Sequence, residues 1–555
     1  MTTYGAGAMT NSIPEIRDAD FLFVIGSNTT EAHPIIAMEM KRAVLRGAKL
    51  AVADPRAIWL TEIADWHLQI KPGSDVWLLN AMAHVIIAEG LENRAWIEEN
   101  TEDFAAVVET VARYSPEEAE TMTGVPAEKI REVARAYAST PKAGIYYTLG
   151  ITEHTHGTDN VYALSNLVLM TGHLGVRSAG MNPLRGQNNV QGANDSGATP
   201  VFYPGYQNVT DPEVCAKFGE AWGVEQKPEP GLNLNEMMKA MSDGRIRGMY
   251  LMGEDIVISE PNVCRVEEAL NDKLEFLVVQ DIFLNESCRY ADVILPAACF
   301  AEKDGVFTNS DRRVQRVRQA VEPPGEARAD WKILLDVMRR AGYEQPDYAH
   351  PGEVYTEMAN LAPKFSGISH QRIETEGGLQ WPVTSPEAPS TEYLHKGGVL
   401  RGKGLFMPVE YRPSFEQADV EYPLVLSTGR TLYHYNAATQ TRRNEGLATK
   451  QPECFVEVHP KNARKLGIED GQLVEVVSRR GRVRARAMLS RQVRFGSVWM
   501  PFHFPETKTN RLTTDAGDAV TGTGEYKVCA VRLEPLVDEV PEQVFPGAFA
   551  AASGG

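Results

Sequence analysis

The sequence is poor in cysteine and contains no long apolar run. Only six of its 555 residues are cysteines, and no two of them form a Cys-x-x-Cys pair. Neither a zinc ribbon nor a complete ligand set for an iron–sulfur cluster can be read from this spacing, and a secreted disulfide framework is not indicated. No stretch reaches the roughly eighteen consecutive apolar residues of a transmembrane helix, so we expect no membrane insertion.

The sequence also lacks a basic excess and an export signal. It has 56 Lys and Arg against 74 Asp and Glu, a formal net charge of −18, which argues against nucleic acid or an anionic membrane surface as a partner. Residues 1–9 do not combine a basic region with an apolar run, as a signal peptide would, so we expect a cytoplasmic protein. The length predicts three or four globular domains at ~150 residues each.

Strand and helix patterns alternate through the first half of the chain. A continuous apolar run at 21–26 predicts a strand covered on both faces, a helix follows at 34–45, and a second strand at 49–53. This alternation predicts an α/β unit of the nucleotide-binding type. Further strands are predicted at 143–148, 247–252, 276–280 and 291–296.

The character of the chain changes near residues 390–415. Short strands recur after residue 420, with one short helix at 460–466, which predicts a C-terminal domain like a β-barrel. The predicted divisions are 1–187 and 188–299 for two α/β domains, 300–395 for a small irregular domain and linker, 396–540 for the barrel and 541–555 for a tail.

The segment 182–207 is the most unusual of the chain. It is rich in Gly, Asn, Gln and Pro with little periodicity, which predicts a long loop. Within it, Arg185 opens the run Arg-Gly-Gln-Asn-Asn-Val-Gln-Gly. A guanidinium matches a carboxylate in two parallel hydrogen bonds, so the loop is a candidate anion site. The alternative is a structural loop whose amides satisfy its own backbone.

Polar residues follow several of the predicted strands. Gly26 and Asn28 follow the first, Asp54 and Arg56 the second, and Asp255 a later one. Open α/β sheets bind ligands beyond the carboxyl ends of their strands, although plain strand-end turns are an alternative. His154 and His156 could bind a metal, but no cysteine or further histidine lies at supporting spacing, so we interpret them as structural residues.

Several motifs together resemble one family over essentially the whole chain. Those at 53–56, 71–75 and 426–430 are similar to motifs of the molybdenum- and tungsten-dependent bis-pterin (molybdopterin) oxidoreductases, and the run at 185–192 resembles their formate dehydrogenase catalytic (alpha) subunits in particular. The resemblance implies a multidomain α/β architecture with doubly wound α/β domains and a C-terminal β-barrel-like domain. Other stretches that carry it are 7–12, 24–34, 150–154, 203–206, 279–283, 325–331, 500–504 and 525–530.

The resemblance also implies a reaction and a cofactor. The expected reaction is the two-electron oxidation of formate to carbon dioxide, or its reverse, at a molybdenum or tungsten centre held by two molybdopterin guanine dinucleotides. Electrons would pass to a [4Fe-4S] cluster and on to iron–sulfur or flavin subunits. Arg185 would hold the formate carboxylate. The residues implied to contact the two dinucleotides are Gly26, Asn28, Asp54, Arg56, Gly73, Asp75, Gln187, Asp255, Gln280, Asp281, Asp330, Arg430, Asn510 and Lys527.

The chain departs from the family pattern at its start. The family has four cluster-binding cysteines and then a cysteine or selenocysteine that ligates the metal, and neither occurs here, so no metal ligand is assigned to this chain. The resemblance places that ligand a few residues before Met1 and the first half of the second α/β domain upstream as well. Glu153 and Asn194 stand where the pattern has glutamine and cysteine.

Several explanations of this departure stay open. A selenocysteine codon read as a stop, with translation assigned to the next methionine, would make the sequence the C-terminal portion of a longer enzyme. Alternatively the short chain is a split subunit, with a separate subunit carrying the missing region, or a non-catalytic scaffold of an electron-transfer complex. A nitrate- or arsenate-type reductase of the same fold is a further alternative. We expect the isolated chain not to turn over formate.

Overall fold

The computed structural model describes residues 1–343 and 347–536. Its first region is built on a five-stranded parallel sheet. The elements of this region are β1 (Phe21–Ile25), α1 (Thr29–Ala32), α2 (Pro34–Leu45), β2 (Lys49–Ala53), β3 (Trp66–Leu68), α3 (Asp75–Ala88), α4 (Arg94–Asn100), β4 (Thr101–Glu102), α5 (Phe104–Val111), α6 (Pro116–Thr123), α7 (Ala127–Ser139), β5 (Ala143–Tyr147), α8 (Leu149–Thr152), α9 (Gly157–Thr171) and β6 (Gly180–Pro183).

The first sheet is covered on both faces. Its strand order is β3-β2-β1-β5-β6. Phe21, Phe23 and Ile25 of β1 pack into one apolar cluster with residues of α3, and Leu22 and Val24 pack into a second cluster with residues of α2. The prediction of a doubly wound unit is thus confirmed, because such a sheet needs uninterrupted apolar strands. The reversal of strand order at β1 opens a crevice at the carboxyl ends of the strands.

The second region contains a three-stranded parallel sheet. Its elements are α10 (Val190–Asp195), β7 (Phe202–Tyr203), β8 (Gln207–Asn208), α11 (Pro212–Trp222), α12 (Leu234–Ser242), β9 (Gly248–Met252), α13 (Ile256–Ser259), α14 (Val263–Asp272), β10 (Phe276–Asp281) and β11 (Val293–Pro296). The strand order is β11-β10-β9. Leu277 and Val279 pack against α14 on one face. The other face is apolar but exposed, since Met252, Phe276 and Val293 are 48%, 50% and 38% accessible.

The segment 182–207, predicted as a long loop, contains the helix α10, and the prediction is wrong there. Two side-chain hydrogen bonds stabilise this turn and a half. Gln191 donates to the side chain of Asp195 at 2.8 Å, and Asn194 donates to the backbone carbonyl of Val190 at 2.9 Å. A helix of six residues is too short to show the periodicity on which sequence-based prediction of helices depends.

The third region is less irregular than the sequence predicts. Its elements are β12 (Gly305–Thr308), β13 (Arg313–Val317), α15 (Asp330–Arg340), α16 (Pro351–Leu361), α17 (His370–Glu376), β14 (Leu379–Gln380) and β15 (Gly404–Leu405). Strands β12, β13 and β14 form an antiparallel sheet. The buried Trp381 packs there with Tyr355 of α16 and Ile373 of α17, so short helices with few apolar positions suffice to build a small core.

The C-terminal region is a closed six-stranded barrel of order β16-β20-β17-β19-β18-β21, which confirms the predicted barrel. Its elements are β16 (Leu424–Gly429), α18 (Glu445–Ala448), β17 (Phe455–Val458), α19 (Pro460–Leu466), β18 (Leu473–Val477), β19 (Arg482–Leu489), β20 (Ser497–Pro501) and β21 (Cys529–Pro535). The predicted tail, 541–555, lies outside the described residues. No helix of the described ranges has the length and apolarity needed to cross a bilayer.

Candidate cofactor and substrate site

A cleft of about 460 Å³ lies between the carboxyl ends of the first sheet and the C-terminal barrel. It occupies the crevice at the reversal of strand order, where open α/β sheets bind ligands. One wall comes from the turns after β1 and β2 and the start of α3, and the other from the segment after β16 and from β20. The predicted site residues that the fold brings together here are Gly26, Asn28, Asp54, Arg56, Gly73, Asp75, Gln187, Arg430 and Lys527.

The turn after β1 presents polar atoms to the cleft. Gly26 has a φ of +57°, and a Cβ at this position would lie 2.7 Å from the carbonyl carbon of Gly150, so glycine is required. Oδ1 of Asn28 and Nδ1 of His33 are buried without a hydrogen-bond partner in the described chain. Since buried polar atoms are nearly always paired, these two atoms indicate a polar ligand in the cleft.

Asp54 and Arg56, after β2, have different roles. Asp54 accepts a hydrogen bond from the backbone N–H of Arg56 at 2.8 Å, and burial raises the pKa of its carboxyl group to about 6. The Arg56 guanidinium donates two hydrogen bonds to Glu457 of the barrel, at 3.0 and 2.6 Å, and lies 4.0 Å above the ring of Trp499. Arg56 therefore joins the two walls, whereas Asp54 keeps acceptor capacity for a ligand.

The barrel wall contributes two cations to the cleft. Lys527 lies 2.8 Å from Glu153 and donates to the carbonyl of Thr428 at 2.9 Å, so it neutralises the carboxylate that Glu153 adds. Arg430 donates to Oδ1 of Asn436 at 3.3 Å and forms no ion pair with any residue that the structure describes. Its charge is available to an anionic ligand, such as a phosphate.

Asp75, the first residue of α3, lies beside a buried histidine. His154 has its Nδ1 3.2 Å from Glu525 and its Nε2 4.0 Å from Asp75, and all three side chains are buried. Burial lowers the pKa of His154, but the two carboxylates outweigh burial and raise the pKa to about 9. His154 is thus a cation at neutral pH, and its structural interpretation gains an electrostatic part.

Arg185 lies next to the cleft, and its neighbour Gln187 lines it. The Nε of Arg185 donates to Oε1 of Gln191 at 3.3 Å, and one terminal nitrogen donates to the carbonyl of Gly7 at 2.8 Å. Its own carbonyl oxygen lies 2.7 Å from Nε2 of His33. Two contacts therefore fix the guanidinium and leave other N–H groups for a ligand.

The remaining predicted site residues lie away from this cleft, at the carboxyl end of the second sheet. Asp255 follows β9, Gln280 and Asp281 end β10, and Asp330 begins α15. Gln280 donates to Asp330 at 2.8 Å, and Lys303 forms an ion pair with Asp330. This cluster is separate from the first, so the structure divides the predicted residues into two groups.

Asn510 joins the barrel to the second group. It donates to the carbonyls of Ile258 and Ser259 at 2.9 and 3.0 Å, at the end of the helix α13 that follows Asp255, and its own Oδ1 is buried without a partner among the described residues. Carboxylates and amides of this kind can pair with the edge of a guanine base, and cations with phosphates. Both groups therefore have the side chains that can bind the base and the phosphates of a guanine nucleotide. Within residues 1–343 and 347–536, no three His, Cys, Asp or Glu side chains are grouped to hold a metal ion.

Sequence reasoning missed the barrel residues that complete the first cleft. Leu432, Tyr433 and Tyr435 follow β16, and Trp499 lies on β20. The first three stand in an irregular segment with no periodicity, so the only available signal was the pair of tyrosines close to Arg430.

Comparison with known proteins agrees with this fold. A family model described as "Molybdopterin oxidoreductase" matches residues 2–340, and one described as "Molydopterin dinucleotide binding domain" matches residues 424–530. An acetylene hydratase from Pelobacter acetylenicus has the same fold, with a TM-score of 0.76 at 19% identity over 96% of this chain and 79% of that chain. The chain therefore belongs to the molybdopterin oxidoreductase family, among the formate dehydrogenase alpha subunits.

Two relatives place the chain among the formate dehydrogenase alpha subunits. The chain is 45% identical over 536 residues to the F420-dependent formate dehydrogenase subunit alpha of Methanocaldococcus jannaschii, covering 96% of this chain and 79% of the relative. It is 40% identical over 541 residues to formate dehydrogenase H of Escherichia coli, covering 96% of this chain and 75% of the relative. The family resemblance stated from the motifs is thereby confirmed.

Proposed function

We propose that this protein is the catalytic subunit of a formate dehydrogenase that converts formate to carbon dioxide, or the reverse, in a two-electron reaction. The observation that carries the proposal is the position of Arg185, in the loop that borders the cleft. Relatives that are 40–45% identical over 96% of the chain are named formate dehydrogenases. The residues of the cleft supply the cofactor site that such a reaction needs.

Arg185 would bind the substrate. Formate has one carbon, and its two carboxylate oxygens are the only atoms that can accept hydrogen bonds. A guanidinium offers two parallel N–H groups at the spacing of these oxygens. Gln191 and Gly7 hold two of the N–H groups of Arg185, so the guanidinium is oriented before formate arrives. Orientation in advance lowers the entropic cost of reaching the reactive geometry.

The two groups of strand-end residues would hold a molybdenum or tungsten bis(molybdopterin guanine dinucleotide). When bound, this cofactor supplies the two-electron chemistry, and the chain supplies orientation and electrostatics. Asn28, Asp54, Asp75, Arg430 and Lys527 would bind one dinucleotide in the cleft. The residues that would bind the other are Asp255, Gln280, Asp281, Asp330 and Asn510.

The exposed sheet face supports a partner segment. Parallel sheets are covered on both faces, and the apolar face of Met252, Phe276 and Val293 is open in this chain. We infer that further polypeptide, in the same protein or in a separate subunit, covers this face and carries the [4Fe-4S] cluster and the cysteine or selenocysteine metal ligand. Electrons would leave through iron–sulfur or flavin subunits, in the cytoplasm.

The test uses the holoenzyme purified from its native source. Formate should reduce a viologen dye, and two guanine nucleotides per chain should be released by acid. Arg185→Lys should raise the KM for formate about 100-fold, because two charge-assisted hydrogen bonds become one, with the nucleotide content unchanged. Arg247→Lys, at an exposed ion pair with Glu275, is the matched control.

Other outcomes would contradict the proposal in different ways. Reduction of nitrate or arsenate without formate turnover would identify a reductase of the same fold. A stable complex without molybdenum or tungsten would identify a scaffold. An unchanged KM in Arg185→Lys would remove Arg185 from the substrate site.

A further inference from the structure

A buried carboxylate lies behind Arg185. Asp195, at the end of α10, is only 2% exposed, yet it accepts three hydrogen bonds. Gln191 Nε2 and the Tyr206 hydroxyl donate to its Oδ1, both at 2.8 Å, and the indole N–H of Trp381 donates to its Oδ2 at 2.7 Å. A buried carboxylate with this many donors is a fixed acceptor, because each donor would otherwise be left unsatisfied.

Gln191 connects this carboxylate to Arg185. Its side chain is fully buried, and its Nε2 donates to Asp195 and to Tyr206. Its Oε1 accepts from Nε of Arg185 at 3.3 Å. An ionised carboxylate can only accept hydrogen bonds, so the amide nitrogen of Gln191 must face Asp195. Its oxygen is then the atom that faces the guanidinium.

We propose that Asp195 and Gln191 are positioning residues for Arg185. Asp195 sets the orientation of the Gln191 amide, and the amide oxygen holds the guanidinium so that its remaining N–H groups stay available to a carboxylate substrate. This inference rests on the proposed role of Arg185 in binding formate. Neither residue would touch formate, so their effect should appear in the affinity for formate and in its pH dependence.

Protonation of Asp195 would reverse the arrangement. A protonated carboxyl can donate, which allows the Gln191 amide to turn its oxygen toward Asp195 and its nitrogen toward Arg185, where two donors then face each other. Burial raises the pKa of Asp195 to about 6, so the change falls in an accessible range. The titratable groups around Asp195 are Arg185, Tyr206, Arg312, Tyr355 and Lys364.

The experiment measures the KM for formate of the holoenzyme from pH 5 to pH 7.5. Formate stays an anion over this range because its carboxyl group titrates lower. In the natural enzyme, we expect the KM to rise as the pH falls through about 6. Asp195→Asn imitates the protonated state, so its KM should be about tenfold higher at all these pH values, with kcat changed by less than about threefold.

Tyr355→Phe is the matched control. Its hydroxyl lies near Asp195 and is buried without a hydrogen-bond partner in the described residues, so its removal should leave the KM and the pH profile unchanged. An Asp195→Asn enzyme with the KM of this control would overturn the inference. If Asp195→Asn does not fold, a KM of the natural enzyme that is flat across pH 6 would overturn it equally.

Arg185→Lys separates this inference from the function on which it rests. A raised KM in Arg185→Lys together with an unchanged KM in Asp195→Asn would retain Arg185 as the formate-binding residue and remove Asp195 from its positioning. An unchanged KM in Arg185→Lys would instead overturn the proposed role of Arg185, and this inference with it.

Discussion

The two parallel sheets begin their central strands with the same residue and bury it differently. Phe21 opens β1, is inaccessible to solvent and has its ring centroid 6.1 Å from those of both Trp66 and Tyr137. Phe276 opens β10 and is half exposed. Both strands have apolar residues on both faces, which parallel strands need only when both faces are covered. The sequence of β10 is thus suited to a cover that residues 1–343 and 347–536 do not provide.

The carboxyl ends of the two sheets differ as well. At the first sheet, the barrel closes over the strand ends and leaves a cleft lined by Asn28, Asp54 and Asp75. At the second sheet, the polar residues bond to one another, as Gln280 does to Asp330. The first site keeps an acceptor that is unpaired within the described residues, Oδ1 of Asn28, at its cleft, whereas at the second sheet Gln280 and Asp330 satisfy each other until a ligand replaces that bond.

Truncation of the two phenylalanines should give the largest contrast. Phe21→Ala should lower the free energy of unfolding by about 3–5 kcal/mol, because it leaves a cavity in a packed core. Phe276→Ala should lower it by less than about 1 kcal/mol, because half of this ring is already in water. Urea titration of the 555-residue chain measures both. Equal losses of stability would show that the second sheet is covered in solution and would contradict the difference in burial between Phe21 and Phe276.

Removal of the buried cation should give the next largest effect. His154→Gln leaves Glu525 and Asp75 buried without it and should cost about 3 kcal/mol. The pKa of His154 is raised from 6.5 to about 9, so its stabilisation is fully present below pH 6.5 and is lost as the pH rises through about 9. Urea midpoints of the natural chain should fall over this range more than those of the variant.

His173→Gln is the control for this pH dependence. Burial lowers the pKa of His173 to about 4, so this histidine is neutral throughout and its variant should follow the natural chain. The two sheets differ in what stabilises the buried carboxylate at their strand ends. Asp75 at the first sheet lies beside the cationic His154, whereas Asp255 at the second sheet accepts hydrogen bonds from the hydroxyl of Ser287 and two backbone N–H groups. An alkaline slope unchanged in His154→Gln would contradict the assignment of the charge.

A lysine on the exposed face should have the smallest effect on stability. Val293→Lys lies on an edge strand and should change the free energy of unfolding by less than about 0.5 kcal/mol. Because exposed apolar faces and strand edges promote association, we expect the isolated chain to self-associate through this face and the lysine to reduce that association. Sedimentation velocity measures the association. Leu45→Lys, at a residue of α2 that is 87% exposed, should reduce self-association less. Equal reductions in the two variants would show that the chain does not associate through the sheet face.

Local signals predict much of the fold and long-range contacts explain the rest. Helices α2 and α19 begin at Pro34 and Pro460, and α19 ends before Gly467, so residues within or next to each helix indicate where it begins or ends. The pairing of Arg56 with Glu457 joins residues 401 positions apart, and no local pattern reports it. Which of the two groups each predicted site residue joins also depends on which strands become neighbours in the fold, and a local pattern does not predict that.

The pairing of Arg56 with Glu457 also sets an order of events during synthesis. Arg56 leaves the ribosome 401 residues before its partner Glu457, a delay of roughly 20–80 s at about 5–20 residues per second, and the barrel residues Trp499 and Lys527 that line the cleft follow later still. A ligand that needs both walls has no site during that interval. Loading must therefore wait for the barrel, and the first sheet, whose last strand ends at Pro183, must stay folded without the ligand until then.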